Sequence, residues 1–182
     1  MEALSQVKKY TYEDILNWPE DERCELIDGL LYMMSQPTIE HERIRGSIFV
    51  QLYNCLKGKP CEVFDAIGVR LNLDDVFLVP DVTVVCEKSK LADGKTCIGA
   101  LDMVVEVISP SSAGRDRLIK FNKYLKAGVS EYWIVDPETK IVNVNVLENG
   151  KYVNHAYGKT DIVPVQALDG CAINLLDVFA NV

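Results

Sequence analysis

The chain predicts an α/β or α+β protein, a mixed sheet flanked by helices, and three observations carry that prediction. Leu101 to Ile108 is a nearly continuous apolar, β-branched run, as expected of a strand buried on both faces. Ile44, Ile48, Leu52 and Leu56 recur every four residues, which is helical spacing. Asp28-Gly29 and Asn149-Gly150 each separate two strand-like runs and mark hairpin turns. The 182 residues fit one domain, 1–182, around one core.

The elements follow in order. Thr11 is an N-cap candidate with Glu13 and Asp14 in the first turn, so residues 11–17 read as a short helix closed by Pro19. Residues 24–33 read as two strands around Asp28-Gly29. Thr38 to Leu56 is a helix that Gly58 and Pro60 end. Strands are expected at 61–65 and 67–73, with a turn at Asp74-Asp75. Pro80-Asp81 opens the β-branched strand Val82 to Val85. Residues 87–99 are charged, contain Gly94 and Gly99, and read as a loop. After the central strand, Ser109 to Ser112 is a loop, and Arg115 to Ala127 a helix with Leu118, Phe121 and Leu125 as its apolar stripe and Gly128 as its stop. Glu131 to Val135 is a further strand. Val142, Val144 and Val146 alternate with Asn143 and Asn145, which predicts a half-exposed strand leading into an antiparallel hairpin over 140–158 near the C-terminus. The last segment, Ile173 to Phe179, reads as packing late, without a definite element type.

Composition narrows the function. Apolar residues make up 48% and charged residues 25% of the chain, ordinary values for a globular protein. No apolar run approaches the roughly 20 residues of a membrane helix. Met1 to Ser5 lacks the basic start and apolar core of a signal peptide, and Met1 reads as the start of a complete product. The six cysteines form no C-x-x-C pair and have only two histidines for company, which argues against zinc. Cys24, Cys86 and Cys171 read as small buried hydrophobes, and free thiols without an export signal point to the cytoplasm. The net charge of −8 confines any phosphate-binding surface to a local patch.

The chemistry gathers on a few residues. An ionised Glu106 inside a buried strand costs several kcal/mol unless it is paired or binds a cation. Its plain alternative is a partner lysine or arginine. Asp81 stands at a strand start, where ligands of open sheets gather, or is a turn aspartate. Asp116, Lys120 and Tyr124 share a helix face, which puts the Lys120 ammonium at the edge of the buried side, unless it forms only a surface pair with Asp116. Arg115, Arg117, Lys123 and Lys126 are phosphate-contact candidates or a solvated face. Glu25 is a third acid, and His41 reads as structural. Two acids able to share a divalent metal, with an ammonium nearby, are the minimum equipment for phosphodiester hydrolysis.

In order along the chain stand Glu25-Leu-Ile-Asp-Gly29, His41, Pro80-Asp81-Val82, Glu106-Val-Ile-Ser-Pro-Ser-Ser112, Asp116-Arg117-x2-Lys120, and Tyr124-x3-Gly128 through Asp136. This series resembles the Uma-two family of restriction-endonuclease-like proteins, itself similar to the PD-(D/E)XK nuclease superfamily, from about residue 10 to the C-terminus. The resemblance implies a restriction-endonuclease-like central mixed sheet flanked by helices. It also implies Mg²⁺ (with Mn²⁺ as a substitute) and hydrolysis of a nucleic-acid backbone, DNA ahead of RNA. By motif, Asp81 and Glu106 are the two acids. The lysine expected two residues after the second acid is replaced by Ile108, and Lys120 matches a relocated lysine on the following helix. On this reading Asp81, Glu106 and the Val107 carbonyl hold the metal. Lys120 orients water or steadies the phosphate, and Glu25 assists a first or second ion. The rival expectation is an inactive nuclease-fold module that binds nucleic acid or a protein. A small phosphorylated substrate would use the same site. A homodimer is expected because cutting both strands takes two sites, with the 140–158 hairpin as its surface.

Overall fold

The computed structural model describes residues 8–19, 22–72, 75–110 and 112–182. The readings placed on the N-terminal residues 1–7, on Asp74 and on Ser111 lie outside them.

Helix α1 (Tyr12–Leu16) opens with a capping box between Thr11 and Asp14. Strands β1 (Cys24–Ile27) and β2 (Leu30–Met33) form the expected hairpin. Asp28 and Gly29 both take positive φ, as a two-residue turn that matches strand twist requires. Helix α2 (Ile39–Leu56) starts at Thr38, whose hydroxyl accepts from the His41 N–H, and it buries Ile44, Ile48, Leu52 and Leu56. β3 (Glu62–Asp65), β4 (Gly68–Arg70), β5 (Val76–Leu78) and β6 (Val82–Val85) follow.

Residues 87–99 are not a plain loop. They hold a single 3₁₀ turn at Lys88–Leu91 and the short strand β7 (Thr96–Ile98), which pairs in parallel with β4. Strands of three residues such as β5 and β7 are too short to show a period, which is why the sequence does not announce them. The central strand β8 (Met103–Val107) is buried at every position. A wide-turned π-helical segment, Arg115–Lys120, runs into helix α3 (Phe121–Ala127). Gly128 ends it in the left-handed conformation.

β9 (Glu131–Asp136), β10 (Ile141–Glu148) and β11 (Lys151–Tyr157) come next. They extend the main sheet, whose order is β11-β10-β9-β8-β6-β3, so the 140–158 hairpin forms its edge. β2-β1-β5-β4-β7 form a second sheet. A small antiparallel ribbon of β12 (Ile162–Pro164) and β13 (Ala172–Asn174) precedes helix α4 (Leu175–Val178).

The main sheet carries apolar side chains on both faces. Met103, Val105 and Val107 join α2 and the C-terminal segment in one core. Val104 and Ile108, on the opposite face, join Tyr124, Tyr132 and the second sheet in another. Strand alternation puts Glu106 on this second face. Two expectations fail here. Leu118 is 67% exposed, while Asp116, Lys120 and Tyr124 are the buried face of the helix, so polar pairing joins the apolar contacts of Ile119 and Phe121 in docking it. Asn145 is buried, because its amide donates to the Tyr132 carbonyl and accepts from Asn154.

The free-thiol expectation is also corrected. Cys55 is joined to Cys171 and Cys61 to Cys86, leaving Cys24 and Cys97 as buried free thiols. The second bond follows from register. Glu62 faces Val85 across β3 and β6, so the flanking Cys61 and Cys86 face each other. The thiol argument for a reducing compartment therefore falls. No helix among the described residues is long and apolar enough to cross a membrane.

One buried acid is structural. The carboxylate of Glu131 accepts from the Trp133 indole N–H at 2.6 Å and from the Ala167 backbone N–H at 2.7 Å, tying the C-terminal segment to the sheet. Glu131→Ala leaves the buried Trp133 donor and the half-buried Ala167 donor unpaired. A loss of about 2–4 kcal/mol in urea denaturation is expected. A change under about 0.5 kcal/mol, the usual size for a surface substitution, would show that the link carries no weight.

Candidate functional site

β1, β6, β8 and the Arg115–Lys120 segment bring four carboxylates to one side of the main sheet. Glu25 (β1), Glu106 (β8) and Asp116 surround the Lys120 ammonium, whose Nζ lies 2.8 Å from Glu25 Oε1, 2.9 Å from Glu106 Oε1 and 3.3 Å from Asp116 Oδ1. All four side chains are buried. The wide turn and the i, i+4 spacing set Asp116 and Lys120 side by side on the face turned inward.

Three of the acids are also held from elsewhere. The Val79 N–H donates to Glu25 Oε1 at 3.0 Å. The Tyr124 hydroxyl donates to Glu106 Oε1 at 2.8 Å. Asp81, at the mouth of β6, accepts from the Val107 N–H at 2.7 Å, and His41 Nε2 lies 3.1 Å from the same oxygen, Oδ2. Asp81 and Glu106 thus stand on adjacent strands, and Val107 spans them through its backbone.

Electrostatics follow from burial and crowding. Burial lifts the Glu106 pKa well above the usual carboxylate range. Lys120 opposes that shift, while Asp116, Asp81 and Glu25 add to it. Burial alone would lower the Lys120 pKa, but Glu106, Glu25 and Asp116 outweigh it and hold the ammonium charged well beyond its ordinary range. His41 is pulled down by burial, yet its bond and charge interaction with Asp81 raise it on balance.

A cleft of about 1150 Å³ opens over these groups, lined by Glu25, Asp81, Glu106, Asp116 and Lys120, with Arg23, Arg45, Arg115, Arg117 and Lys140 around them. Arg115 stands 3.8 Å from Glu25, and Arg117 pairs with Asp136 at 2.8 Å. Of the four basic candidates, Arg115 and Arg117 face the cleft. Lys123 instead pairs with Asp28, and Lys126 is exposed away from the cleft.

The donor set suits a hard divalent cation. Glu25 Oε2 and Asp116 Oδ1 are buried without a hydrogen-bond partner among the described residues. Among the described residues, Lys120, Arg115 and His41 are the basic side chains within 4 Å of these four carboxylates. Among the described residues no three His, Cys, Asp or Glu side chains form a ready cage. Mg²⁺ does not need one, since it keeps several waters and takes one or two carboxylates plus substrate oxygens.

All the acids singled out from sequence meet at this cleft, and Lys120 is buried more deeply than its helix face implied. Two residues mattered more than their sequence readings. Asp116 is part of the buried cluster and not a surface partner, and His41 meets Asp81. The i, i+4 spacing hinted at the first. Nothing local hinted at the second, which joins residues 40 positions apart.

The family model Uma2, described as "Putative restriction endonuclease", matches residues 12–176. An uncharacterized protein of Synechocystis sp. is 28% identical over 140 residues, covering 73% of this chain and 71% of that protein. A crystal structure from Anabaena variabilis, described as "a putative nuclease belonging to DUF820", has a TM-score of 0.77 over 93% of this chain and 97% of that one. Its sequence identity is 20%, so the likeness is one of fold.

Proposed function

From the premise that this chain belongs to the Uma2 family, we propose that it is a metal-dependent nuclease hydrolysing the phosphodiester backbone of nucleic acid, DNA ahead of RNA. The observation that carries the reading is the meeting of Glu25, Asp81, Glu106 and Asp116 with the buried Lys120 at the floor of one cleft.

Asp81 and Glu106 would hold Mg²⁺ or Mn²⁺, with the Val107 carbonyl beside them and Glu25 in support. When bound, such an ion lowers the pKa of a water and polarises a phosphoryl oxygen. The protein's own groups do the placing. The Val107 N–H and His41 fix Asp81 Oδ2. The Lys120 ammonium has three donors, and three carboxylate oxygens lie within 3.3 Å of it. Its first task is therefore to hold the acids. Contact with a substrate phosphate requires it to exchange one of them. Arg115 and Arg117 on the cleft wall offer donors to backbone phosphates.

The same reading includes a homodimer through the free edge of β11, checked by sedimentation: a monomer mass at working concentration removes it. It also places the protein in the cytoplasm, where both disulfides would be reduced. Alkylating thiols before lysis and counting them tests that, and four protected cysteines would overturn it. One observation favours the inactive module. Lys120 already forms ion pairs with Glu106 and Glu25, an arrangement that occupies both acids and suits a binding surface alone.

The decisive assay offers supercoiled plasmid, linear duplex, single-stranded DNA and RNA with Mg²⁺, Mn²⁺ or a chelator. Cleavage is expected only with metal, and Asp81→Asn is expected to slow it by about 10³-fold. Equal cutting by Asp81→Asn or in chelator would falsify the reading. No cutting and no Mn²⁺ binding by the native chain would leave the binding module.

A further inference from the structure

We infer that Tyr124 is a positioning residue for Glu106: its hydroxyl, together with Lys120, occupies Oε1 and leaves Oε2 as the oxygen offered to the cation. The inference rests on the metal-dependent reading above and goes beyond it, because nothing in the motif pattern assigns Tyr124 a role.

Two donors converge on one oxygen. The Tyr124 hydroxyl lies 2.8 Å and the Lys120 Nζ 2.9 Å from Glu106 Oε1. Each is held independently. Tyr124 is fully buried, with its ring 4.8 Å from that of Tyr132. Lys120 is fixed by Glu25 and Asp116. A carboxylate free to rotate about its terminal bond presents either oxygen to the cleft. One held at Oε1 by two donors presents Oε2 alone. Such support of a ligand from behind is what usually orients metal-binding side chains, and losing it typically weakens binding 10- to 100-fold.

The aromatic cluster supplies its own control. Tyr152 stacks into the same group, with ring centroids 5.2 Å from Phe121 and 6.5 Å from Tyr132. Its hydroxyl, however, donates to the Val129 carbonyl and not to an acid of the cleft. Tyr124→Phe and Tyr152→Phe each delete one hydrogen-bonded hydroxyl from one aromatic cluster, the first buried and the second half-buried. Only the first touches Glu106.

The test measures Mn²⁺ binding by electron paramagnetic resonance and calorimetry on native, Tyr124→Phe and Tyr152→Phe chains, with cleavage followed against Mn²⁺ concentration. For Tyr124→Phe, about 10-fold weaker Mn²⁺ binding is expected, with the half-saturating Mn²⁺ for cleavage rising in step and the rate at saturating metal kept within about threefold. Tyr152→Phe should bind Mn²⁺ as the native chain does. Equal Mn²⁺ affinity in native and Tyr124→Phe chains overturns the positioning role while the metal reading stands. Equal weakening by Tyr152→Phe also overturns it, since a general loosening of the cluster would then suffice. Absence of Mn²⁺ binding in the native chain overturns the metal reading first, and the positioning role with it.

Discussion

Replacing Lys120 with methionine is expected to cost about 3–5 kcal/mol of folding stability at pH 8, in addition to abolishing cleavage. Sequence alone suggests a purely chemical loss, because a helix-edge lysine can be removed without harm to the fold. Its burial changes the expectation. The ammonium is the shared partner of Glu25, Glu106 and Asp116, all of them buried. Methionine fills similar volume, so little of the loss comes from a cavity. What remains is three carboxylates in a low-dielectric site, where among the described residues Arg115 is the one other cation paired with any of them, Glu25. The pH dependence separates this cause from simple misfit. The Lys120 pKa is raised on folding above its ordinary 10.5, so its contribution is fully present at pH 8 and fades only as pH rises past the ordinary value toward the raised one. In the variant, Glu106 loses the charge that pulled its pKa down, so it rises further above the usual carboxylate range. The native state then takes up protons more readily than the unfolded chain, and the variant gains stability as pH falls through the raised Glu106 pKa. Urea denaturation at pH 5 and pH 8 reads this directly. A deficit that is the same at both values would mean that uncompensated carboxylates are not the cause.

How far the sequence reveals this arrangement depends on whether the signal is local. Asp28-Gly29, Asn149-Gly150 and the four-residue spacing of α2 are local, since turn chemistry and helical period act over a few residues. The burial of Glu106 is equally legible, because an acid inside an unbroken β-branched run has no exposed face to use. The apolar stripe over the Lys120 helix misleads. Leu118 supplies the period, but the wide turn between Arg115 and Lys120 departs from 3.6 residues per turn, and the cluster of acids draws the polar side inward. The disulfides are invisible for another reason. Cys55 and Cys171 stand 116 residues apart, and only the packing of the C-terminal segment on α2 brings them together. The link from His41 to Asp81 is of the same kind. The acids of the cleft are thus readable one at a time, whereas the bonds that orient them belong to the folded chain.

Glu106→Gln is expected to do the reverse of Lys120→Met, lowering cleavage by at least about 10³-fold while leaving stability unchanged or slightly higher. Glutamine keeps the shape of the side chain and an oxygen that can still accept from Tyr124 and Lys120. Lys120 retains Glu25 and Asp116 as charged partners. The change removes one negative charge from a site where burial already raises the Glu106 pKa on folding. At neutral pH an ionised group with a raised folded pKa destabilises the native state relative to the unfolded chain, so neutralising it brings no penalty from this source. Chemistry responds differently. An amide is a far poorer ligand for a hard divalent cation than a carboxylate, and it cannot supply the charge that such a cation must balance. Mn²⁺ binding should therefore fall together with cleavage, while the unfolding free energy stays within about 1 kcal/mol of native, the range of a tolerated isosteric change. Loss of stability comparable to that of Lys120→Met would place Glu106 in the scaffold. Retained cleavage at native Mn²⁺ affinity would remove it from the site altogether.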